Sequence, residues 1–108
     1  MIARTWHGTT RARDADTYAD YIKQTGIAAF AATPGNQGAY ISRRTAGEET
    51  HWTVVSLWES EAAITGFAGH DVLKAVFYPE DERYLIQRDL HVEHAEVVYL
   101  DAPVTSNQ

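Results

Sequence analysis

Histidines are the side chains in this sequence best suited to proton transfer near neutral pH, because the unperturbed pKa of imidazole is about 6.5. The chain contains five, at His7, His51, His70, His91 and His94. His7 lies in a short β-rich opening segment, and His70 follows Gly69 at an expected break between helices, where backbone N–H groups lack partners. We predict His7 as a general base and His70 as the second choice for that role.

The opening strand offers two alternative sets of residues to a binding pocket. Alternation along a strand groups Arg4 with Trp6 on one face and Thr5 with His7 on the other. If the first face lines a pocket, Arg4 could hold an anionic oxygen and Trp6 could form an aromatic wall. If the second face does, His7 supplies the base. The structural alternative places Trp6 in the core and Arg4 in a surface salt bridge.

Aromatic side chains on the central strands have a structural and a functional interpretation. Trp52 and Trp58 share one face of a strand, and large aromatic residues on a sheet belong to the core more often than to a ligand platform. Tyr40, on the neighbouring strand, is expected to pair with one of them across a hairpin. Beside a cavity, a phenol or an indole N–H could instead bond a substrate carbonyl.

The sequence lacks the usual signals for metals and tightly bound cofactors. There is no cysteine, which excludes disulfides, thiol catalysis and cysteine-ligated zinc. His91 and His94 are three residues apart on a predicted strand, so they point to opposite faces and cannot share an ion. No glycine-rich phosphate loop or G-x-S-x-G turn is present. We therefore expect no metal and no bound flavin or nicotinamide.

Composition and charge narrow the class of protein. The 108 residues suit one domain, which we assign to residues 1–100, with 101–108 as a polar tail. Six Lys/Arg and five Asp/Glu give residues 1–54 a charge of +1, whereas three and ten give residues 55–108 a charge of −7. An acidic chain without a basic stripe is a poor nucleic-acid binder. No apolar run reaches the roughly 20 residues of a membrane span, and the start lacks a secretory h-region, so we expect a cytoplasmic protein.

Hydrophobic periodicity predicts the elements that position these residues. In chain order they are a strand Ile2–Gly8, a helix from Asp14 to about Thr33, a hairpin of Gly38–Thr45 and Thr50–Trp58, a helix from Glu59 to Gly69, a short helix capped by Asp71, a helix or turn at Glu80–Leu85, and a strand Leu90–Leu100. This order predicts an α+β, ferredoxin-like split β-α-β fold with a four-stranded antiparallel sheet and helices on one face. The last strand has apolar residues on both faces, which indicates a homodimer.

The sequence resembles the antibiotic biosynthesis monooxygenase family, which are small dimeric α/β-barrel proteins. The resemblance covers about residues 1–100 and is carried by Met1–Gly8, Ala32–Gly38, Ser56–Ser60, Phe67–Gly69, Tyr78–Asp81 and Val92–Val97. It implies a four-stranded sheet in each subunit, two of which close into a barrel across the dimer. It also implies that a ligand lies between the sheet and the helices of one subunit.

The resemblance implies an oxygenase that needs no cofactor and acts on an aromatic or enolisable small molecule. In that interpretation His7 or His70 is the base and Arg4 stabilises the substrate anion. The pocket is shaped by Trp6, Tyr40, Trp52 and Phe67. From the sequence itself we predict that the turn at Tyr78–Asp81 closes over the pocket mouth and that residues 80–82 are solvated.

Family members that degrade haem use an Asn on strand one with a Trp and an axial His on the second helical region. Here Arg4, Thr5 and Trp6 occupy the strand, and Phe67 stands nearest the Trp position. No histidine lies in residues 72–77, and His70 comes about two turns early. We therefore expect no haem degradation.

Two alternatives to the oxygenase remain. One is a dimeric small-molecule-binding or stress-response protein without catalysis, and the other is a cofactor-free isomerase or cyclase.

Overall fold

The fold is built on one antiparallel sheet, which a computed structural model describes together with the rest of residues 1–101. Its strands are β1 (Ile2–Arg11), β2 (Asn36–Ala46), β3 (Glu49–Trp58), β4 (Leu85–Arg88) and β5 (Glu93–Glu96). The order is β2-β3-β1, with β4 and β5 both pairing to the remaining edge of β1. This arrangement is the ferredoxin-like α+β fold that the order of elements predicts.

The last strand position of the sheet is divided into two pieces, so the structure has five strands where the sequence predicts four. β4 pairs with Gly8–Thr10 and β5 pairs with Ile2–Thr5. Between them the chain leaves β1 and bonds to residues 73–75, through Val92 N–H to Leu73 O at 2.8 Å and Ala75 N–H to Leu90 O at 2.9 Å. These bonds explain why β5 begins at Glu93 rather than at the predicted Leu90; it ends at Glu96, before the predicted Leu100.

The first helical segment is continuous from residue 15 to residue 31 but contains one wide turn. It consists of α1 (Ala15–Ile22), a π-helical turn (Lys23–Ile27) and α2 (Ala28–Ala31). Asp14 precedes it as predicted, yet its side chain makes no capping hydrogen bond. Its backbone, with φ −97° and ψ 1°, lacks the extended geometry that capping side chains need.

The second helical region is shorter than its sequence suggests. Ser60 caps α3 (Glu61–Ala68) by accepting a hydrogen bond from Ala63 N–H at 3.1 Å, and Gly69 ends the helix with φ +85°. The short helix predicted after Asp71 is absent, because Leu73 and Ala75 bond to the chain at 90–92 instead of forming helical bonds. After Pro79 one helical turn, α4 (Asp81–Tyr84), leads into β4.

The core lies between one face of the sheet and the helices. Its buried members are Ala15, Tyr18, Ile22, Phe30, Trp52, Val54, Trp58 and Ile64. No helix within residues 1–101 is long and apolar enough to cross a membrane. Of the predicted polar tail, residues 102–108 lie outside the described residues.

Candidate functional site

A cavity of about 70 Å³ lies between the helix-covered face of the sheet and the helices. Strands β1 and β3, the segment 15–31, α3 and the non-helical segment 69–80 all contribute to its wall. The lining is mostly aromatic and aliphatic: Trp6, Ile22, Phe30, Val54, Phe67, Ala75, Val76, Phe77 and Val92. The ionisable side chains at the wall are Arg4, Tyr18, Tyr78 and Asp81. Such a site suits an aromatic ligand with few polar groups.

β1 sends Arg4 and Trp6 to this cavity, because alternation places both on the helix-covered face. The Trp6 ring folds over Gly8, where a Cβ atom would overlap it. Its indole N–H donates to Asp89 O at 2.9 Å, in the gap between β4 and β5. The sequence leaves two alternatives for the face of β1 that lines a pocket. The structure places the face with Arg4 and Trp6 against the cavity, and the face with Thr5 and His7 on the other side.

Arg4 is buried, with 4% of its surface exposed, and its guanidinium is engaged on several sides. It donates to Val72 O, and to Lys74 O at 3.0 Å, and it contacts His94 Nε2 at 3.0 Å. Its Cζ lies 5.8 Å from the centre of the Phe67 ring, within cation–π range. Burial lowers the pKa of Arg4 to about 10, so the side chain remains a cation at neutral pH.

Asp81 is the buried acid of the site, at 6% exposure. One carboxylate oxygen, Oδ1, accepts from the Tyr18 hydroxyl at 3.0 Å, and Oδ2 accepts from Tyr78 N–H at 2.6 Å. Burial raises the pKa of Asp81 above its usual value, although both hydrogen bonds and the charge of Arg88 oppose that shift. The sequence interpretation of residues 80–82 as solvated is wrong for Asp81, because the turn at Pro79 folds its carboxyl back onto Tyr78.

Two tyrosines beside Asp81, Tyr18 and Tyr78, have raised pKa values. Burial raises the pKa of Tyr18, and the neighbouring Asp81 raises it further. Burial and Asp81 also raise the pKa of Tyr78. The Tyr21 hydroxyl accepts from Glu80 N–H at 2.8 Å, next to Asp81 in the sequence. The phenols of Tyr18 and Tyr78 therefore stay protonated at neutral pH.

The π-helical turn forms part of the wall through Thr25 and Gly26. The Thr25 hydroxyl donates to Tyr21 O at 2.7 Å, which satisfies a carbonyl near the widened turn. A Cβ on Gly26 would lie 3.9 Å from the Tyr78 ring and 4.0 Å from the Phe30 ring. Wide turns of this kind are frequent at functional sites.

Four of the eight side chains predicted for the site line this cavity: Arg4, Trp6, Phe67 and Tyr78. His7 and Tyr40 lie on the opposite face of the sheet because of strand alternation, and both are exposed. His7 lies 3.6 Å from Asp89 there. His70 is exposed beyond α3, since the helix expected to follow it does not form. Trp52 is in the core behind Tyr18, with ring centres 5.3 Å apart.

The lining does not suit haem iron. It contains no histidine, cysteine or methionine, and His94 contacts Arg4 rather than the cavity. The raised pKa values of Tyr18 and Tyr78 disfavour the phenolates that would otherwise bind iron. Within residues 1–101 no three His, Cys, Asp or Glu side chains are grouped closely enough to hold a metal ion.

Comparisons with known proteins agree with this fold. A model of the antibiotic biosynthesis monooxygenase family matches residues 4–77. A Bacillus cereus protein assigned to those monooxygenases has a TM-score of 0.65 and 16% identity, covering 96% of this chain and 97% of its own. HapK from Hahella chejuensis has a TM-score of 0.60 and 14% identity, with 97% and 100% covered.

The heme-degrader MhuD from Mycobacterium tuberculosis, solved with two hemes in its active site, is also similar. Its TM-score is 0.55 at 21% identity, and the match covers 94% of this chain and 99% of that one. No curated protein sequence matches at a significant level. The structural similarities establish the fold, and because the family model spans more than half of the sequence, the chain belongs to the antibiotic biosynthesis monooxygenase family.

Proposed function

We propose that this protein is a cytoplasmic, homodimeric, cofactor-independent monooxygenase that acts on an aromatic or enolisable small molecule in the cavity between sheet and helices. One observation carries the proposal: in a member of this family, the cavity combines aromatic walls with a buried cation, Arg4, and a buried carboxyl, Asp81. Aromatic walls hold a flat ring, and a fixed positive charge favours its anion.

The proposed reaction converts an activated CH₂ group and O₂ into a carbonyl group and water. Loss of a proton gives an electron-rich enolate or phenolate, which is oxidised as it transfers electrons to O₂, so the substrate supplies the electrons that reduce oxygen. One oxygen atom enters the product, and the other leaves as water. Arg4 would lower the energy of the anion, and Trp6 and Phe67 would pack against its ring and exclude water.

Substrate entry requires the cavity to widen, because about 70 Å³ is well below the roughly 300 Å³ of small ligand pockets. The segment 69–80 is suited to move, since it has no helix and forms one wall through residues 75–78. It begins at Gly69 and is held by a few hydrogen bonds to Arg4 and to residues 90–92. We propose that this segment opens to admit the substrate.

The dimer is supported by apolar side chains left exposed away from the cavity. Tyr40 is 56% exposed on the face of the sheet opposite the cavity, which no helix within residues 1–101 covers. Val98 and Tyr99, after β5, are 91% and 79% exposed. Exposed apolar groups of this size commonly mark contact surfaces, and a second copy of the chain would cover them.

A second function, ligand binding without catalysis, is favoured by two features of the same cavity. Its volume is small, and none of the histidines lines it. A third, a cofactor-free isomerase or cyclase, would use the same proton abstraction without oxygen. Oxygen dependence separates it from the monooxygenase.

The proposal is tested by oxygen uptake with purified protein and a panel of anthrones, hydroquinones and enolisable polyketide mimics in metal-free buffer. We expect uptake with at least one aromatic member of the panel. The His7→Ala/His70→Ala double variant should retain it, because both side chains lie outside the cavity. If the double variant lost oxygen uptake, the general base would be His7 or His70. Binding without uptake across the panel would favour the binding protein.

A further inference from the structure

A buried carboxyl group at the wall of an apolar cavity lowers the stability of the fold, because burial disfavours its charged form. Such a group is therefore a candidate for a functional role. Asp81 is such a group, and the sequence resemblance assigns it no role. It lies at the first turn of α4, beside the aromatic walls formed by Phe77 and Tyr78. Its neighbours on the cavity side carry no other proton acceptor of comparable strength.

From this geometry we infer that Asp81 is the general base of the cavity, removing a proton from an acidic C–H or O–H group of an aromatic substrate, with Tyr18 holding its carboxylate in place. The inference rests on the proposed function for its substrate class. It concerns the proton-transfer step only and does not require that oxygen takes part.

The contacts of Asp81 orient the carboxylate and leave each of its oxygens able to accept a further hydrogen bond. Oδ1 accepts one hydrogen bond from the Tyr18 hydroxyl, and Oδ2 accepts one from Tyr78 N–H. A carboxylate has about four lone-pair positions, so each oxygen keeps one for a substrate proton. Two donors on different elements, α1 and the segment 69–80, set the orientation of the group. A base held in this way meets the geometric requirement for proton abstraction.

The surroundings also adjust the strength of the base. An exposed aspartate is a weak base, and burial raises the pKa of Asp81 above that level. The Tyr18 hydroxyl, Tyr78 N–H and the Arg88 guanidinium act in the opposite direction, because each of them favours the carboxylate form. General bases work best when their pKa approaches the working pH.

The other ionisable groups at the wall cannot take this role. Arg4 remains protonated, since its pKa is about 10. Tyr18 and Tyr78 are neutral phenols, because burial raises the pKa of each. Among the described lining residues, Asp81 is thus the group that can accept a proton at neutral pH.

The step itself balances without a co-reactant. The C–H or O–H bond of the substrate breaks, the proton moves to an Asp81 oxygen, and the electron pair stays on the substrate as an enolate or phenolate. The positive charge of Arg4, across the same cavity, offsets the new negative charge. The proton can later return to the substrate or pass to the water formed.

The test separates proton transfer from oxygen chemistry. Anthrone is incubated anaerobically with protein in D₂O, and deuterium exchange of its CH₂ group is followed by mass spectrometry. We expect wild-type protein to accelerate exchange and Asp81→Asn to lose at least about 100-fold of that acceleration. Anthrone affinity, read from tryptophan fluorescence, should change less than about threefold. Glu82→Gln, an exposed acid on the same turn, is the matched control and should match wild type.

Tyr18→Phe supplies a second test in case Asp81→Asn destabilises the fold. Removing the hydroxyl removes a hydrogen bond that lowers the pKa of Asp81, so that pKa must rise. Exchange requires the carboxylate, so its acid limb should move to higher pH. The other groups that act on Asp81 are Tyr78 N–H, which donates to Oδ2, and the Arg88 guanidinium, and Tyr18→Phe keeps both of them.

The outcomes are distinct. Exchange by Asp81→Asn within threefold of wild type, an unmoved acid limb in Tyr18→Phe, or no exchange by wild-type protein would each overturn the inference. Wild-type exchange that depends on Asp81 supports it, even if no oxygen is consumed; in that case the proposed monooxygenase fails while the base stands. Oxygen uptake that survives Asp81→Asn leaves the monooxygenase and removes the base.

Discussion

At the scale of single residues, Arg4 joins three parts of the fold. It lies on β1, donates to the carbonyls of Val72 and Lys74 in the segment 69–80, and contacts His94 on β5. Burial and the adjacent Arg4 charge lower the pKa of His94, which favours the neutral ring that can accept from the guanidinium. Arg4 therefore fixes one wall of the cavity while supplying the positive charge there.

Arg4→Met should loosen that wall. The side-chain stem is similar in size, but two carbonyls lose a charged donor, and bonds of this kind contribute about 2 kcal/mol each. We expect the free energy of unfolding, measured by urea denaturation, to fall by about 4 kcal/mol for the two bonds together. Trypsin should also cleave faster after Lys74, which lies in the released segment. Arg44→Met, on exposed β2, is the matched control, and equal losses in both variants would contradict the account.

Some residues of the site can be predicted from the sequence, whereas Asp81 cannot. Strand alternation correctly groups Arg4 with Trp6 and separates them from His7, but it does not say which face the helices cover. Asp81 is harder to find, because its burial depends on a turn at Pro79 and on Tyr18, 63 positions away in the sequence. No local pattern distinguishes it from the exposed Glu80 and Glu82.

At the scale of elements, the first helical segment widens where it borders the cavity. The π-helical turn Lys23–Ile27 places Thr25 and Gly26 at the wall, opposite the Tyr78 ring. Gly26 has no positive φ, so any residue can adopt its backbone conformation. Glycine at this position is therefore explained by the space that it leaves in the cavity, and the backbone conformation does not require it.

Substitutions at Gly26 should separate stability from binding. Gly26→Ala places a Cβ at ordinary contact distance from Tyr78 and Phe30, and it should stabilise the helix by about 0.5–1 kcal/mol. Gly26→Leu extends into the cavity and should weaken anthrone binding at least tenfold in a fluorescence titration. Equal affinities for the two variants would show that the ligand does not occupy this cavity.

Some of the helices and strands can be predicted from sequence patterns, and others cannot. The hairpin and both main helices follow from periodicity and from glycine and proline positions, and the structure has them. The failed helix after Asp71 and the divided last strand share one cause. Residues 73–75 pair with residues 90–92, and this long-range pairing leaves no periodic signal in either segment.

At the scale of the whole molecule, the sheet separates two different surfaces. One face carries the helices and the cavity. The other presents Tyr40, His7 and Thr53, and none of the helices in the described part of the chain covers it. The exposed Val98 and Tyr99 continue the chain beyond β5. We attribute this open surface to contact with a second copy of the chain.

Tyr40→Glu tests that contact. In a twofold dimer each substitution appears twice, and a buried, unpaired carboxylate is strongly unfavourable. We expect wild-type protein to have a mass near twice 12.1 kDa by light scattering, and Tyr40→Glu to weaken association at least tenfold. Tyr40→Phe keeps the ring and should remain dimeric. A wild-type monomer at micromolar concentration would refute the proposed dimer.

The central claim, that the protein inserts one atom of oxygen into its substrate, is tested most directly by isotope labelling. Purified protein would convert an anthrone under ¹⁸O₂ in metal-free buffer, with the product analysed by mass spectrometry. The account predicts one ¹⁸O atom in each product molecule and one O₂ consumed for each substrate molecule. Product formed without the label, or binding with no oxygen consumed, would contradict it.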